Sequence, residues 1–542
     1  MKVSAAIAEI LRREGVDVIF GYPRNAVLEQ AAEIGIRTVI VRQERTGVHM
    51  ADALSRLTRG RRMGVFAMQH GPGTENAYGG VAQAYSESVP VLVLPQGYAR
   101  HLMHVPDNYN ASRSMRDVTK TAEPILQASD TSAIMRRAFT ALRNGRRRPA
   151  LVEMPWDVLG EELPGPLDYT PVVSTRSGPD PEAVERVADM LVAARRLVIH
   201  AGQGVHWAEA YGELRTLAEL LAAPVSTTLE GKSAFDETHP LALGSGGAAI
   251  PGQLRHFLDR ADLIFAIGCS LSDTAFGVSM PAGARIVHAT LDPADLNKGA
   301  PCIDALVGDA RLTLAMLIET CRGRLSTPRD ARAVAEEIGR VESEWLAKWR
   351  PLLESAEMPL SPYRVLWALQ QTVDVANTII THDAGSPRDQ LTPYWKARTP
   401  MSYLGWGKST QLGYGLGLAM GAKLACPDKL CINVWGDAAI GFTGMDFETA
   451  VRERIPILSI LFNNFSMAIE IPIMPVSQAK YGATDITGNY ADMAKAFGGY
   501  GERITDPGDI VAALKRGIEA TERGQPALLE FITAKEITIS NE

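Results

Sequence analysis

Cysteine is scarce in this chain: Cys269, Cys302, Cys321, Cys426 and Cys431 are the five in 542 residues, and no two form a CxxC pair. That excludes a disulfide framework and fits a reducing, cytoplasmic setting. Long apolar runs are missing too. None approaches the roughly 18 uncharged residues that a membrane span requires. The first residues place Ile7, Ile10 and Leu11 on one helical face, but Glu9, Arg12 and Arg13 interrupt them, so the stretch reads as an amphipathic helix and not as a signal peptide. There is no excess of positive charge: 55 basic residues face 62 acidic ones, for a net charge of −7. Arg143–Arg148 (RNGRRR) is the densest basic run, and it reads as a solvated helix end. No nucleic-acid surface is expected. Low-complexity tracts and obvious internal repeats are also lacking.

What is present is a hydrophobic fraction of 46 % in a chain long enough for about three domains of ~100–200 residues. Short apolar runs alternate with helical stretches, which predicts parallel α/β sheets. In a first unit, 1–165, the predicted strands are Val18–Phe20, Arg37–Val41, Met63–Met68, Val89–Leu94 and Ala150–Met154. Gly160–Pro181, rich in Pro, Gly and Ser, reads as a linker. A second unit, 181–325, has runs at Leu197–Ala201, Leu263–Gly268 and Arg285–Leu291. A third, 355–542, has them at Thr378–His382, Leu430–Trp435, Ile457–Phe462 and Ala527–Ile532. The expected fold class is therefore α/β, three domains with mainly parallel sheets flanked by helices.

The third unit carries the sharpest chemistry. The run to Trp435 stops at Gly436-Asp437, and the run to Phe462 ends in Asn463-Asn464. Between them a helical stretch has Phe442, Met445, Phe447, Ala450 and Val451 as its apolar positions. Parallel strands end on a common edge, where ligands bind. Asp437 and Asn464 can therefore converge, and both offer hard oxygen ligands suited to Mg²⁺ holding a phosphate group. Gly436, Ala438 and Ala439 are small enough for the following helix start to approach that phosphate. Asp and Asn are also ordinary residues of strand-end turns.

Gly436-Asp437-Ala438, a span of this length, and then Asn463-Asn464 resembles the thiamin-diphosphate motif of the acetolactate synthase and pyruvate decarboxylase superfamily. The resemblance implies thiamin diphosphate and Mg²⁺ as cofactors. It implies Asp437, Asn464 and the backbone carbonyl of Ser466 as metal ligands. It also implies three domains, binding pyrimidine, central and binding diphosphate. His382-Asp383-Ala384-Gly385-Ser386 is similar to the family's first diphosphate loop, which places Gly385 and Ser386 at the terminal phosphate. Gly407–Gly415 (GKSTQLGYG) is similar to the loop beneath the bent cofactor. There Leu412 would force the bend, and the Thr410 carbonyl and Leu412 N–H would hold the pyrimidine edge. Taken alone, Leu412 reads as a core residue.

In the first unit, VRQERTGVHMADALSR resembles the family's strand–Glu–helix motif. Glu44 would hydrogen-bond N1′ of the aminopyrimidine and drive the proton exchange that ends in removal of the thiazolium C2 proton. Such a carboxyl needs a raised pKa, which a partly dry apolar site supplies. A first-turn Glu favoured by the helix dipole is the alternative. Gln69-His70-Gly71-Pro72-Gly73 stands where relatives have Ser-Gly-Pro-Gly. His70 is a candidate proton shuttle or donor to a substrate oxygen, or a histidine bonded to its own loop. Two departures from acetolactate synthases are Tyr22-Pro23-Arg24-Asn25 in place of Tyr-Pro-Gly-Gly, and a Pro106–Asn110 segment without the usual Phe-Gln pair. Arg24 could bind a substrate carboxylate or phosphate, or reach solvent.

The central unit offers only Ala201-Gly202-Gln203-Gly204, half of a dinucleotide-binding fingerprint. Some relatives bind FAD here and others an ADP moiety. Gly246-Gly247-Ala248-Ala249 replaces the Met-His-Gly of many flavin-binding synthases, so no FAD is expected.

Finally, Glu470 occupies, between Ile469 and Ile471, a position that is apolar in acetolactate synthases. It is a candidate for donating a proton to the reacting carbon or for hydrogen-bonding a substrate hydroxyl. A solvent-facing helix position is the alternative. The resemblance as a whole implies a C–C bond cleaved or formed next to a carbonyl, foremost by 2-oxo acid decarboxylation or carboligation. A 2-hydroxyacyl-CoA lyase, a benzaldehyde lyase-like enzyme and a catalytically silent cofactor-binding paralogue are the rivals. It also implies a small-molecule substrate and a homodimer or homotetramer with active sites between subunits.

Overall fold

The computed structural model describes residues 1–409 and 411–541. It contains three six-stranded sheets, and every strand pairing in them is parallel. The first sheet comprises β1 (Val18–Gly21), β2 (Arg37–Ile40), β3 (Gly64–Met68), β4 (Val91–Gly97), β5 (Thr121–Pro124) and β6 (Ala150–Pro155), in the order β2-β1-β3-β4-β6-β5. The second comprises β7 (Leu197–Ala201), β8 (Val225–Thr227), β9 (Ala242–Ser245), β10 (Leu263–Ile267), β11 (Ile286–Thr290) and β12 (Asp304–Val307), in the order β12-β11-β10-β7-β8-β9. The third comprises β13 (Thr378–His382), β14 (Tyr403–Leu404), β15 (Leu430–Gly436), β16 (Leu458–Asn463), β17 (Tyr500–Ile504) and β18 (Ala527–Ile532), in the order β14-β13-β15-β16-β18-β17. No helix among the described residues is long and apolar enough to cross a membrane.

Helices cover both faces of each sheet, so the inner strands are buried on both sides. Val65, Phe66, Leu92, Val93, Ile460 and Leu461 are all fully inaccessible. This is why these strands read as continuous apolar runs and not as alternating ones.

One helix, Glu44–Leu57, belongs to the first domain by sequence but to two domains by packing. One side lies on β3 and the other on helix Tyr414–Ala425 of the third domain. The two helices meet at backbone distance. A Cβ at Gly421 would stand 2.3 Å from the Met50 carbonyl oxygen, and one at Gly417 2.6 Å from the His49 Cβ. The joint is closed by charge. Buried Arg56 binds Asp52 at 2.6 Å, donates to the Gly405 carbonyl at 2.8 Å and reaches the Tyr414 hydroxyl at 3.0 Å. Two charges removed from water need such complete hydrogen bonding to be tolerated.

Candidate active site

β13, β15 and β16 are neighbours in the third sheet, so the loops at their carboxyl ends stand side by side. After β13, Gly385 takes φ +81°, a conformation open to glycine, and turns the chain into helix Ser386–Leu391. After β15, helix Asp437–Thr443 begins at the aspartate itself. After β16 the chain enters an irregular turn, Asn464–Ser466, before a short 3₁₀ turn at Ala468–Glu470.

These ends are joined by Asp437. Its carboxylate accepts the backbone N–H of Ala438 at 2.9 Å, Asn464 at 3.1 Å and Ser466 at 3.2 Å. The Asn464 side-chain oxygen accepts the Ser466 N–H at 2.9 Å. Asp437 is 3 % exposed, and burial pushes its carboxyl above the usual value against these three donors. The contacts that counter burial are backbone N–H donors, and no group of three or more His, Cys, Asp or Glu that could hold a metal ion is found among the described residues. A buried carboxylate held by backbone donors, with the Asn464 amide oxygen beside it, offers hard oxygen ligands that would suit Mg²⁺.

The three loops surround a cavity of about 100 Å³. Gly385, Ser386, Leu412, Gly436, Asp437, Ala438, Asn464 and Ser466 line it, together with Ile469 and Glu470. Ala439 does not; it is buried in the core behind the helix start. Thr410 lies outside the described residues. Asp383, buried at the end of β13, braces the loop that carries Leu412. Its carboxylate accepts the N–H of Gly413 at 3.0 Å and of Gly415 at 2.8 Å, and burial pushes its pKa up to about 6.

Two apolar positions of the helical stretch face outward: Phe442 and Met445 are half exposed. The stretch is no continuous helix. A 3₁₀ turn at Gly444–Asp446 divides it, which shifts the apolar face.

Glu44 starts its helix directly after the β2 loop, with Gln43 at the cap. It is 3 % exposed, and burial raises its carboxyl pKa, reinforced by the nearby Asp446 carboxylate. The Asn76 amide donates to it at 3.2 Å. A Cβ at Gly73 would come within 3.5 Å of it, so the Gly71–Gly73 turn leaves room around this carboxyl. Glu44 is not among the residues lining the cavity in its own chain. His70 lies on the same side of the first sheet, edge-on to Tyr98 at 4.7 Å and Trp156 at 5.0 Å. Its Nδ1 is buried without a partner, and burial together with the Arg24 cation lowers its pKa. Arg24 is exposed; Asn25 beside it is structural, donating to the carbonyls of Met68 and Leu94.

Sequence reasoning missed a second cavity, of about 740 Å³, on the central domain. Its walls include Gln203 and Gly204, the 174–177 linker, Arg146 and Arg147 of the first domain and Lys408 of the third. It is assembled from distant segments, so only the glycine loop signalled it in the sequence.

Comparison with known proteins agrees with this architecture. Residues 1–120 match the model described as the thiamine pyrophosphate enzyme N-terminal TPP binding domain. Residues 184–317 match the central domain of the same family, and residues 383–531 its C-terminal TPP binding domain. The chain is 29 % identical to the probable acetolactate synthase large subunit of Methanococcus aeolicus, over 98 % of this chain and 92 % of that protein. It is 30 % identical to the acetolactate synthase large subunit of Parasynechococcus marenigrum, over 94 % and 85 %. It is also 30 % identical to the probable 2-ketoarginine decarboxylase of Pseudomonas aeruginosa, over 93 % and 89 %. The chain therefore belongs to the thiamine pyrophosphate enzyme family, and is a thiamin-diphosphate-dependent enzyme of the acetolactate synthase-like, decarboxylase or carboligase type.

Proposed function

We propose that this enzyme uses thiamin diphosphate and Mg²⁺ to decarboxylate a 2-oxo acid, with or without ligation of the product to a carbonyl acceptor. The observation that carries the reading is the convergence of Asp437, Asn464 and Ser466 beside Gly385 and Ser386. When bound, the cofactor would supply a carbon nucleophile for the carbonyl carbon and an electron sink for the bonding pair left when CO₂ departs. Asp437, the Asn464 amide oxygen and the Ser466 carbonyl would hold the metal. Gly385 and Ser386 would hold the terminal phosphate, and small Gly436 and Ala438 would let the helix start approach it, with Ala439 packed behind them. Leu412 would force the cofactor's bend, and the Thr410 carbonyl and Leu412 N–H would hold its pyrimidine edge. Glu44 would exchange a proton with the pyrimidine ring, a task its raised pKa suits. His70, held neutral, offers its ring to a substrate oxygen.

Glu44 and the cavity belong to different domains, and Glu44 lines no wall of it within the chain. Met467 and Ile469 of the cavity wall, and Ile473, Met474 and Val476 on the chain that follows, are exposed apolar side chains. Both observations support a site completed by the first domain of a second copy, in a homodimer or homotetramer. The enzyme is placed in the cytoplasm, and the domains are taken as 1–165, 181–325 and 355–542.

A lyase acting on an acyloin or a 2-hydroxyacyl-CoA is the second reading, favoured by the acid Glu470 in the cavity wall. The test is a substrate panel of 2-oxo acids, acyloins and 2-hydroxyacyl-CoAs, with and without thiamin diphosphate and Mg²⁺. Cofactor-dependent CO₂ release from a 2-oxo acid is expected. Turnover confined to the other two classes would select the lyase reading. Cofactor binding with no turnover anywhere would select a silent paralogue.

A further inference from the structure

The segment that leads into the cofactor loop, 405–409, belongs to the third domain and is held by charged groups of the first and central domains. From the first domain, Glu87 is completely buried at the C-terminal end of helix Pro72–Ser86. Its carboxylate accepts the backbone N–H of Lys408 at 2.9 Å, with Ser409 at 3.3 Å and Gly407 at 3.4 Å. From the central domain, Glu230 binds the Lys408 ammonium at 2.7 Å, and the Thr274 hydroxyl donates to the Gly407 carbonyl at 3.2 Å. Arg56 takes the Gly405 carbonyl. Four residues beyond Lys408, Leu412 enters the cavity of the third domain.

Two carboxylates converge on one lysine here. A buried carboxylate is costly unless a cation and hydrogen bonds compensate it, and two facing each other are worse. Lys408 is the shared compensation: its main chain occupies Glu87 while its side chain occupies Glu230. Removing the ammonium leaves Glu230 unpaired beside Glu87, and one of them must take up a proton or swing away. Where Glu87 is the one that responds, its hold on the 407–409 amides weakens.

We propose that Lys408 is a positioning residue for the cofactor: tied to Glu230 and Glu87, it fixes the segment that sets where Leu412 stands in the cavity. This rests on the reading that Leu412 seats the cofactor. Lys408 touches neither cofactor nor substrate in this scheme and acts through the backbone. The consequence is a separation of effects. Loosening the segment weakens binding of the bent cofactor more than it slows the saturated enzyme, because bound cofactor re-orders the loop at the expense of affinity.

The experiment compares wild type, Lys408→Met and Lys408→Arg by thiamin diphosphate titration at saturating Mg²⁺, together with hydrogen exchange of the 405–415 amides. Lys408→Met is expected to bind the cofactor at least 10-fold more weakly, to exchange these amides faster, and to keep kcat within about threefold at saturating cofactor. Lys408→Arg, which restores the cation, is expected to return affinity and protection close to wild type. Should Lys408→Met not fold, Glu230→Gln removes the same pair from the other side and is expected to show the same weakening. Wild-type affinity and protection in the folded variant would overturn the proposal while leaving the functional reading intact. Failure of the wild type to bind thiamin diphosphate at all would overturn that reading, and the proposal with it.

Discussion

Asp437 and Asn464 sit at the ends of adjacent strands, and the Asp437 carboxylate accepts the Asn464 backbone N–H at 3.1 Å. A separation of 27 positions in sequence is closed because β15 and β16 run parallel in register, Gly436 opposite Phe462. Three backbone donors orient the carboxylate.

Asp437→Ala is expected to weaken thiamin diphosphate binding and to shift its Mg²⁺ dependence to higher concentration, since the one charged ligand proposed for the metal is lost. Cofactor titrations at several Mg²⁺ concentrations measure this. An unaltered Mg²⁺ dependence would place the metal elsewhere.

Glu44→Gln is expected to bind the cofactor normally yet lose at least ~10²-fold in turnover, the lower range for acid–base catalysis. The amide keeps the shape and the Asn76 neighbour but cannot exchange a proton. NMR of C2-proton exchange in the bound cofactor is the direct measurement, and wild-type exchange in the variant would reject the role.

How far the sequence reveals this molecule follows from burial. Inner strands such as Leu430–Gly436 and Leu458–Asn463 are apolar throughout, and their runs are plain in the sequence. Thr121–Pro124, Asp304–Val307 and Tyr500–Ile504 are sheet-edge strands, half exposed, with no apolar run to mark them. The convergence of Asp437 with Asn464 is legible because strand ends of a parallel sheet share an edge. Asn76 against Glu44, His49 against Gln411 at 2.9 Å, and the clamp of Glu87 and Glu230 on Lys408 are not legible. Each joins residues from different elements whose distance no periodicity or spacing encodes.

The purified protein is expected to show no flavin absorption. Its central domain carries Gly246–Ala249 where flavin-binding synthases have Met-His-Gly, and half of a dinucleotide fingerprint. An absorbance scan of protein prepared without added flavin suffices, and a flavin band in the visible would refute the expectation.

Arg56→Met is expected to destabilise the fold by ~3–5 kcal/mol, because it strips a buried carboxylate, Asp52, of its cation. The Gly405 carbonyl and the Tyr414 hydroxyl lose their donor as well. The damage falls on the joint between the first and third domains. A lower thermal unfolding midpoint, with cofactor absent, reports it; an unchanged midpoint would show that the pair contributes nothing net.

The last expectation concerns specificity. Glu470 ends the short 3₁₀ turn that follows the Asn464 turn, and its side chain lines the same cavity as Asp437, Leu412 and Ile469. It is half-buried and carries no ion pair among the described residues, so it is not tied to a structural partner. Relatives of the acetolactate synthase type have an apolar residue at this position. An acid in the wall changes what the cavity accepts: its charge disfavours a substrate carboxylate, and its oxygens can hydrogen-bond a substrate hydroxyl. Glu470→Gln keeps the volume and the hydrogen-bonding capacity but removes the charge. The variant is therefore expected to retain wild-type cofactor affinity while shifting kcat/KM between 2-oxo acids and acyloins, or while slowing product release. The full substrate panel, run on both proteins, decides it. Matching kinetics on every substrate would make Glu470 a surface residue of the rim with no part in the choice of substrate.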